Sequence, residues 1–216
     1  MVAGLTRIVG LDLAGSLRRP TGFCLINQKE ILTSVLYTDQ DIIEEVRKTA
    51  PKVVAMDAPL SLPPGRNHIE DRNGGHFRSC DLELRKRGIR FFPITLGPMR
   101  ALTARGLKLK SALNRSGYEV IEIYPGGAQD VWNLPRAGRD REKLARGLAR
   151  LARKEFGLKL SPKAKPWPQM TADELDAVTA ALVGLMYQQG RAELFGRGQK
   201  IIVMPARPGP AREKIG

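Results

Sequence analysis

The sequence predicts a mixed α/β fold: a three-stranded antiparallel meander, then parallel strands, with helices flanking the sheet. Three observations carry this expectation. Residues 7–28 (RIVGLDLAGSLRRPTGFCLINQ) read as a hairpin, two apolar β-rich runs around a turn of Ala14, Gly15 and Ser16 with Arg18, Arg19 and Pro20. The run KEILTSVLYT at 29–38 continues as a third strand. An amphipathic segment at 39–50, ended by Pro51, then separates it from KVVAMDAP at 52–59, so this next strand is expected to lie parallel to the first.

Residues 60–79 (LSLPPGRNHIEDRNGGHFRS) have no period and read as a long mobile loop. A short helix is expected at 80–87. A longer one is expected at 96–116, burying a stripe of Met99, Leu102, Leu109 and Leu113. YEVIEIY at 118–124 reads as a strand, 141–156 as an amphipathic helix and 159–170 as a connector rich in Pro, Lys and Trp. In TADELDAVTAALVGLMYQQG, Thr171 and Glu174 form a capping box and Gly190 a stop. Beyond Asp176 this segment is apolar nearly all round, the pattern of a helix packed deeply on a sheet. KIIVMP at 200–205 is the last strand. The domain expectation is one unit over 1–206 with a basic loop and helical insertion around 60–115, and a disordered tail at 207–216.

Composition narrows the class. With 216 residues, 42% of them hydrophobic and 27% charged, the chain can bury a full core as a folded soluble protein. Two cysteines, Cys24 and Cys80, exclude a disulfide framework, and they form no CxxC pair. No segment approaches the roughly 18 apolar residues of a membrane span, so a cytoplasmic protein is expected. The net charge of +14 is unevenly placed. Residues 1–65 balance seven basic against seven acidic residues, whereas 66–115 hold twelve against four and 136–165 eleven against three. Localised basic surface points to a phosphate-bearing partner, above all nucleic acid. Arg85, Lys86, Arg105, Lys108, Arg146 and Arg150 are the expected contacts. No membrane partner is expected, and a homodimer is left open.

Acids in apolar surroundings single out the chemistry. Asp12 interrupts a run with Ile8, Val9, Leu11 and Leu13; Asp57 ends KVVAMD; Glu122 lies inside VIEIY; Asp173 and Asp176 share a helix face three residues apart. Clustered carboxylates repel one another unless a cation sits among them, and oxygen-only ligands select Mg²⁺ or Mn²⁺. Two such ions could activate water and stabilise the leaving oxygen of a phosphodiester. His68, His76 and Cys80 carry no zinc spacing, although His76, after a Gly-Gly hinge, is a candidate proton shuttle.

The motifs GLDLAGS, AMDAPLSLP, RSCDLELRKRG, GPMRALTARG, VIEIYPG and ELDAVTAALVG, in this order, resemble the domain-of-unknown-function family four-two-nine, whose members are predicted nucleases of RNase H-like, RuvC-like fold. The resemblance covers about residues 7–205. It implies an RNase H-like mixed sheet, a metal-dependent nuclease, and Asp12, Asp57 and Asp176 as metal ligands with Asp173 as helper. Glu122 matches the family's strand motif but no standard RuvC ligand position, and Asp57 stands where RuvC-type enzymes usually carry Glu. Two rival readings remain. GLDLAGS also resembles the phosphate loop of the actin-like ATP-binding clan, which sets ATP between two such domains where 216 residues suffice for one. Alternatively, the chain is a non-catalytic basic module whose acids are structural.

Overall fold

β1 (Arg7–Asp12), β2 (Thr21–Asn27) and β3 (Glu30–Leu36) form the antiparallel meander, with β1 innermost. Around it the computed structural model describes residues 7–198 and 200–206, so the expected tail at 207–216 lies outside the described residues. The helix α1 (Asp39–Thr49) starts at a capping box in which Thr38 Oγ1 accepts from the Asp41 N–H, and it ends with Ala50 in the left-handed region. It carries the chain over to β4 (Val53–Asp57), which pairs parallel with β1. β5 (Glu119–Ile123) adds parallel to β4, and β8 (Lys200–Pro205) follows parallel to β5.

The completed sheet has eight strands in the order β6-β3-β2-β1-β4-β5-β8-β7, where β6 (Lys159–Leu160) and β7 (Ala192–Arg197) are the two edges. This is the mixed arrangement expected of the chain, an antiparallel meander plus parallel strands flanked by helices. The two edge strands were not anticipated. β6 is two residues long inside the expected connector, and β7 pairs antiparallel with β8 to close that side of the sheet.

Period-2 alternation divides each central strand between two cores. Ile8, Val53, Ala55, Ile121 and Ile123 face a cluster with α5 (Arg141–Phe156) and α6 (Ala172–Gln188). Val9, Leu11, Val54, Met56 and Val120 face the opposite cluster, together with α1 and α3 (Gly97–Arg115). A third, smaller core holds α2 (Ser79–Lys86) against β7 and β8 through Cys80, Leu84, Phe195 and Ile202. The segment 60–79, expected to be mobile, is internally cross-linked: buried Arg66 donates to the carbonyls of Gly75 and Asp71, and the Gly75 N–H donates to the Pro64 carbonyl.

α6 lies nearer the sheet than side chains on both would permit. A Cβ on Gly10 would meet the Ala177 carbonyl oxygen at 2.1 Å, and one on Gly184 would meet Ile8 and Ala55 at 2.9 and 3.0 Å. Small residues on both surfaces let the helix settle antiparallel to β1, its first turn above the strand ends. Glu174 fixes that turn. Its buried carboxylate accepts from Thr33 on β3, from Lys165 and from the Thr171 N–H. No described helix is long and apolar enough to cross a membrane.

Candidate active site

Asp12 and Asp57 end β1 and β4, and they are register partners. Partners on parallel strands project from the same face of the sheet, about 4.8 Å apart, so both side chains start out on the α6 side. Above them comes the first turn of α6, whose Asp173 backbone presses on Gly22, the hairpin partner of Asp12. Asp173 and Asp176 therefore join the same end of the sheet. Asp176 Oδ1 is held by Gln129 Nε2, from the helix α4 (Pro125–Val131) that follows β5.

The electrostatics are those of a crowded, cation-poor site. Burial holds the Asp12 carboxyl well above the usual carboxylate range; Asp176 and Asp173 push it further, and Arg19 opposes them. Burial likewise raises Asp57, with Asp12, Asp176 and Glu122 adding to the effect. Asp176 is pushed up to about 6 by burial first and by Asp173 as well, against the Gln129 hydrogen bond and the more distant Arg136. Burial raises Asp173 too, opposed by Arg19. Among the described residues none of these four acids forms a salt bridge.

The acids open onto adjoining clefts. One of about 450 Å³ is lined by Asp12, Asp173, Ser16 and Arg19. A second of about 250 Å³ is lined by Asp57 and Tyr124, and Met99 and Leu102 at the start of α3 border both.

Whether these residues suit a divalent cation depends on donor chemistry and on convergence. The donors are carboxylate oxygens alone, which suits Mg²⁺ or Mn²⁺. Among the described residues, no three acids or histidines converge closely enough as they stand to hold one ion. The backbones of Asp12 and Asp57 are already neighbours, so side-chain rotation suffices to bring their oxygens together. The residues therefore fit such an ion in kind and in backbone position.

Two expected site residues do other work. Glu122 is the register partner of Met56, not of Asp57, so it leaves the sheet on the other face, although at the strand ends both acids line the cleft of about 250 Å³. There it is buried and takes both terminal nitrogens of Arg78, at 2.7 and 2.8 Å, plus the Leu60 N–H at 2.7 Å. Arg78 also clamps Asp81, so this acid anchors α2 and the preceding loop to β5. Arg105 is likewise no nucleic-acid contact. It is buried, donating to the carbonyls of Ala14 and Tyr37 and to Asp39 Oδ1, and it ties the β1–β2 turn to the start of α1.

Arg85, Lys86, Lys108, Arg146 and Arg150 are exposed, with Lys108 leaning on Asp39 and Arg146 on Glu142. His68 and His76 are exposed, the latter with Nδ1 3.0 Å from Thr95 Oγ1, while Cys80 is buried in the third core.

Several residues at the site were not singled out from sequence. Arg19 had a signal, lying in the turn directly after Asp12. Gln129 and Arg136 fall in 125–140, which carries no hydrophobic period. Tyr124, which ends the YEVIEIY run, borders the Asp57 cleft with its hydroxyl between Arg136 and the Arg90 carbonyl.

A mixed sheet, an antiparallel meander continued by parallel strands, with acids at the ends of its two central parallel strands defines the class. The chain belongs to the family described as "Protein of unknown function (DUF429)", whose model matches residues 10–200. Among solved structures, it is similar to the yeast mitochondrial Holliday junction resolvase Ydc2, at 13% identity and a TM-score of 0.42 over 82% of this chain and 76% of that one. No curated protein matches the chain in sequence.

Proposed function

We propose that the protein is a divalent-metal-dependent nuclease that hydrolyses phosphodiester bonds in nucleic acid. The observation that supports this reading is that Asp12, Asp57 and Asp176, all desolvated and raised, repel one another at one end of the sheet and form no salt bridge among the described residues. Such a cluster costs stability in isolation and is rationalised by a cation. Asp12, Asp57 and Asp176 would hold Mg²⁺ or Mn²⁺, with Asp173 assisting, and the ion would supply Lewis-acid stabilisation of charge on the phosphate oxygens.

The protein's own groups bind and orient the substrate. Arg19, which lines the Asp12 cleft, and Arg136, which lines a neighbouring cleft with Tyr124, would meet the phosphates flanking the reacting one. Gln129 holds Asp176 in one rotamer through its amide N–H. The basic surfaces of 66–115 and of α5 add long-range attraction.

The test is a cleavage screen over labelled single-stranded, duplex and branched DNA and RNA, in EDTA, Mg²⁺ and Mn²⁺, with wild type and Asp12→Asn. Divalent-dependent cleavage that falls by orders of magnitude in the variant, while binding in EDTA is kept, supports the nuclease. Binding without cleavage under every condition would favour the basic module, and stabilisation by Mg-ATP alone would favour the ATP-binding reading.

A further inference from the structure

Beside Asp57 lies a larger cleft, of about 620 Å³, whose lining contains no acid. Its walls carry four aromatic rings, Phe77, Phe91, Phe92 and Tyr124, and three guanidinium groups, Arg85, Arg90 and Arg136. Phe91, Phe92 and Tyr124 also line the Asp57 cleft, so the two spaces are continuous.

The side chains are ordered among themselves. Phe77 and Phe91 meet edge to face at 6.1 Å and 89°. The Arg85 guanidinium lies 4.4 Å over the Phe77 ring, and that of Arg136 lies 5.5 Å over Tyr124. Asp130 and the Tyr124 hydroxyl hold Arg136 in place. Phe92 contrasts with them, since 71% of it is exposed, the most of any large apolar residue described.

We propose that this cleft holds one unstacked nucleobase of a nucleic-acid strand, so that the substrate presents an unpaired nucleotide next to the phosphate at Asp57. This rests on the nuclease reading and adds the substrate class to it. Aromatic faces accept any base by stacking, and arginines at the same walls neutralise the flanking phosphates. A continuous duplex keeps its bases stacked inside and offers such a cleft only backbone. An apolar protein surface would have to desolvate Arg85 and Arg90, which have no acid to pair them among the described residues, at a cost that stacking does not offset. Arg85 and Arg90 form no salt bridge among the described residues, so they remain available to phosphate.

The experiment uses a single strand and a blunt duplex of equal length, each carrying one fluorescent 2-aminopurine. Binding is followed in EDTA, so that cleavage plays no part, with wild type and Phe92→Ala. Stacking of one base corresponds to about a 5- to 100-fold change in affinity. The wild type is expected to bind the single strand tighter than the duplex by that factor and to quench the 2-aminopurine. Phe92→Ala removes both the preference and the quench and leaves duplex binding unchanged; because Phe92 is exposed the substitution leaves the core intact, and a matching melting curve checks this. Equal affinity for the two substrates, an equal loss on both in the variant, or no binding at low salt would overturn the base site. Failure of the nuclease reading is separable: a single-strand preference lost in Phe92→Ala, in a protein that never cleaves, keeps the base site and removes the catalysis.

Discussion

Gly22 lies so close beneath Asp173 that a Cβ built on it would stand 1.9 Å from the Asp173 carbonyl oxygen. The contact seats the first turn of α6 on the strand that pairs with Asp12, and so sets the spacing between the strand-end acids and the helix acids. The obstacle is backbone, which cannot rotate aside, so Gly22→Ala must lift the turn. The variant is expected to lose at least about 1–3 kcal/mol of stability by denaturant unfolding. Cleavage should fall by about 100-fold, the effect of roughly 1 Å of misplacement. A variant that unfolds at the wild-type denaturant concentration and cleaves normally would contradict this seating.

Arg78 and Glu122 form a buried pair, 2% and 5% exposed, at the wall of the cleft that Asp57 also lines. Removing one partner leaves the other charge desolvated, so Glu122→Gln should cost about 3–5 kcal/mol of stability. Mn²⁺ affinity in the fraction that stays folded should be unchanged. Loss of Mn²⁺ binding in a variant of wild-type stability would return Glu122 to the metal site.

A pH dependence follows from Asp176, raised from 3.8 to about 6. A raised acid favours folding while protonated, so its contribution is complete below about pH 4 and is lost as the pH climbs through about 6. Asp12 and Asp57 shift in the same direction. In EDTA the melting temperature of wild type relative to Asp176→Asn should therefore fall from pH 4.5 to 7, and Mn²⁺ should restore it at pH 7. A difference that stays flat across this range would mean that Asp176 titrates normally.

Salt should separate surface cations from structural ones. Nucleic-acid affinity is expected to fall with salt at a log–log slope of roughly −0.7 to −0.9 per phosphate contact. Arg85→Ala should reduce the slope by about one contact. Arg105→Ala should keep the slope and instead lower stability, because Asp39 and two carbonyls lose their donor. Reversed behaviour of the two variants would contradict their assigned positions.

Much of this organisation is legible in the residues. Apolar runs that end in acids mark β1 and β4, and the capping box with its apolar continuation marks α6 and the position of Asp176. Glu122 was harder, because whether an embedded acid shares a face with Asp57 depends on register between strands 62 residues apart in sequence, which a tertiary pairing sets. Arg105 did carry a signal: it precedes Leu109 and Leu113 by four and eight residues and so falls on the buried stripe of α3. Its charge concealed that position. α4 was not anticipated, since Pro125, Gly126 and Gly127 disfavour an isolated helix; it forms where Gly127 fits tightly against Tyr124, Met204 and Ile89.

Titration of Mn²⁺ into the metal-free protein tests the central claim most directly, with calorimetry in two buffers of different ionisation enthalpy to count protons. The acids are held protonated above their ordinary range, so near pH 6 binding should release protons. Affinity should fall at least about tenfold in each of Asp12→Asn, Asp57→Asn and Asp176→Asn, with folding intact. Mn²⁺ binding that is absent from the wild type, or equally tight in all three variants, would contradict a shared carboxylate metal site.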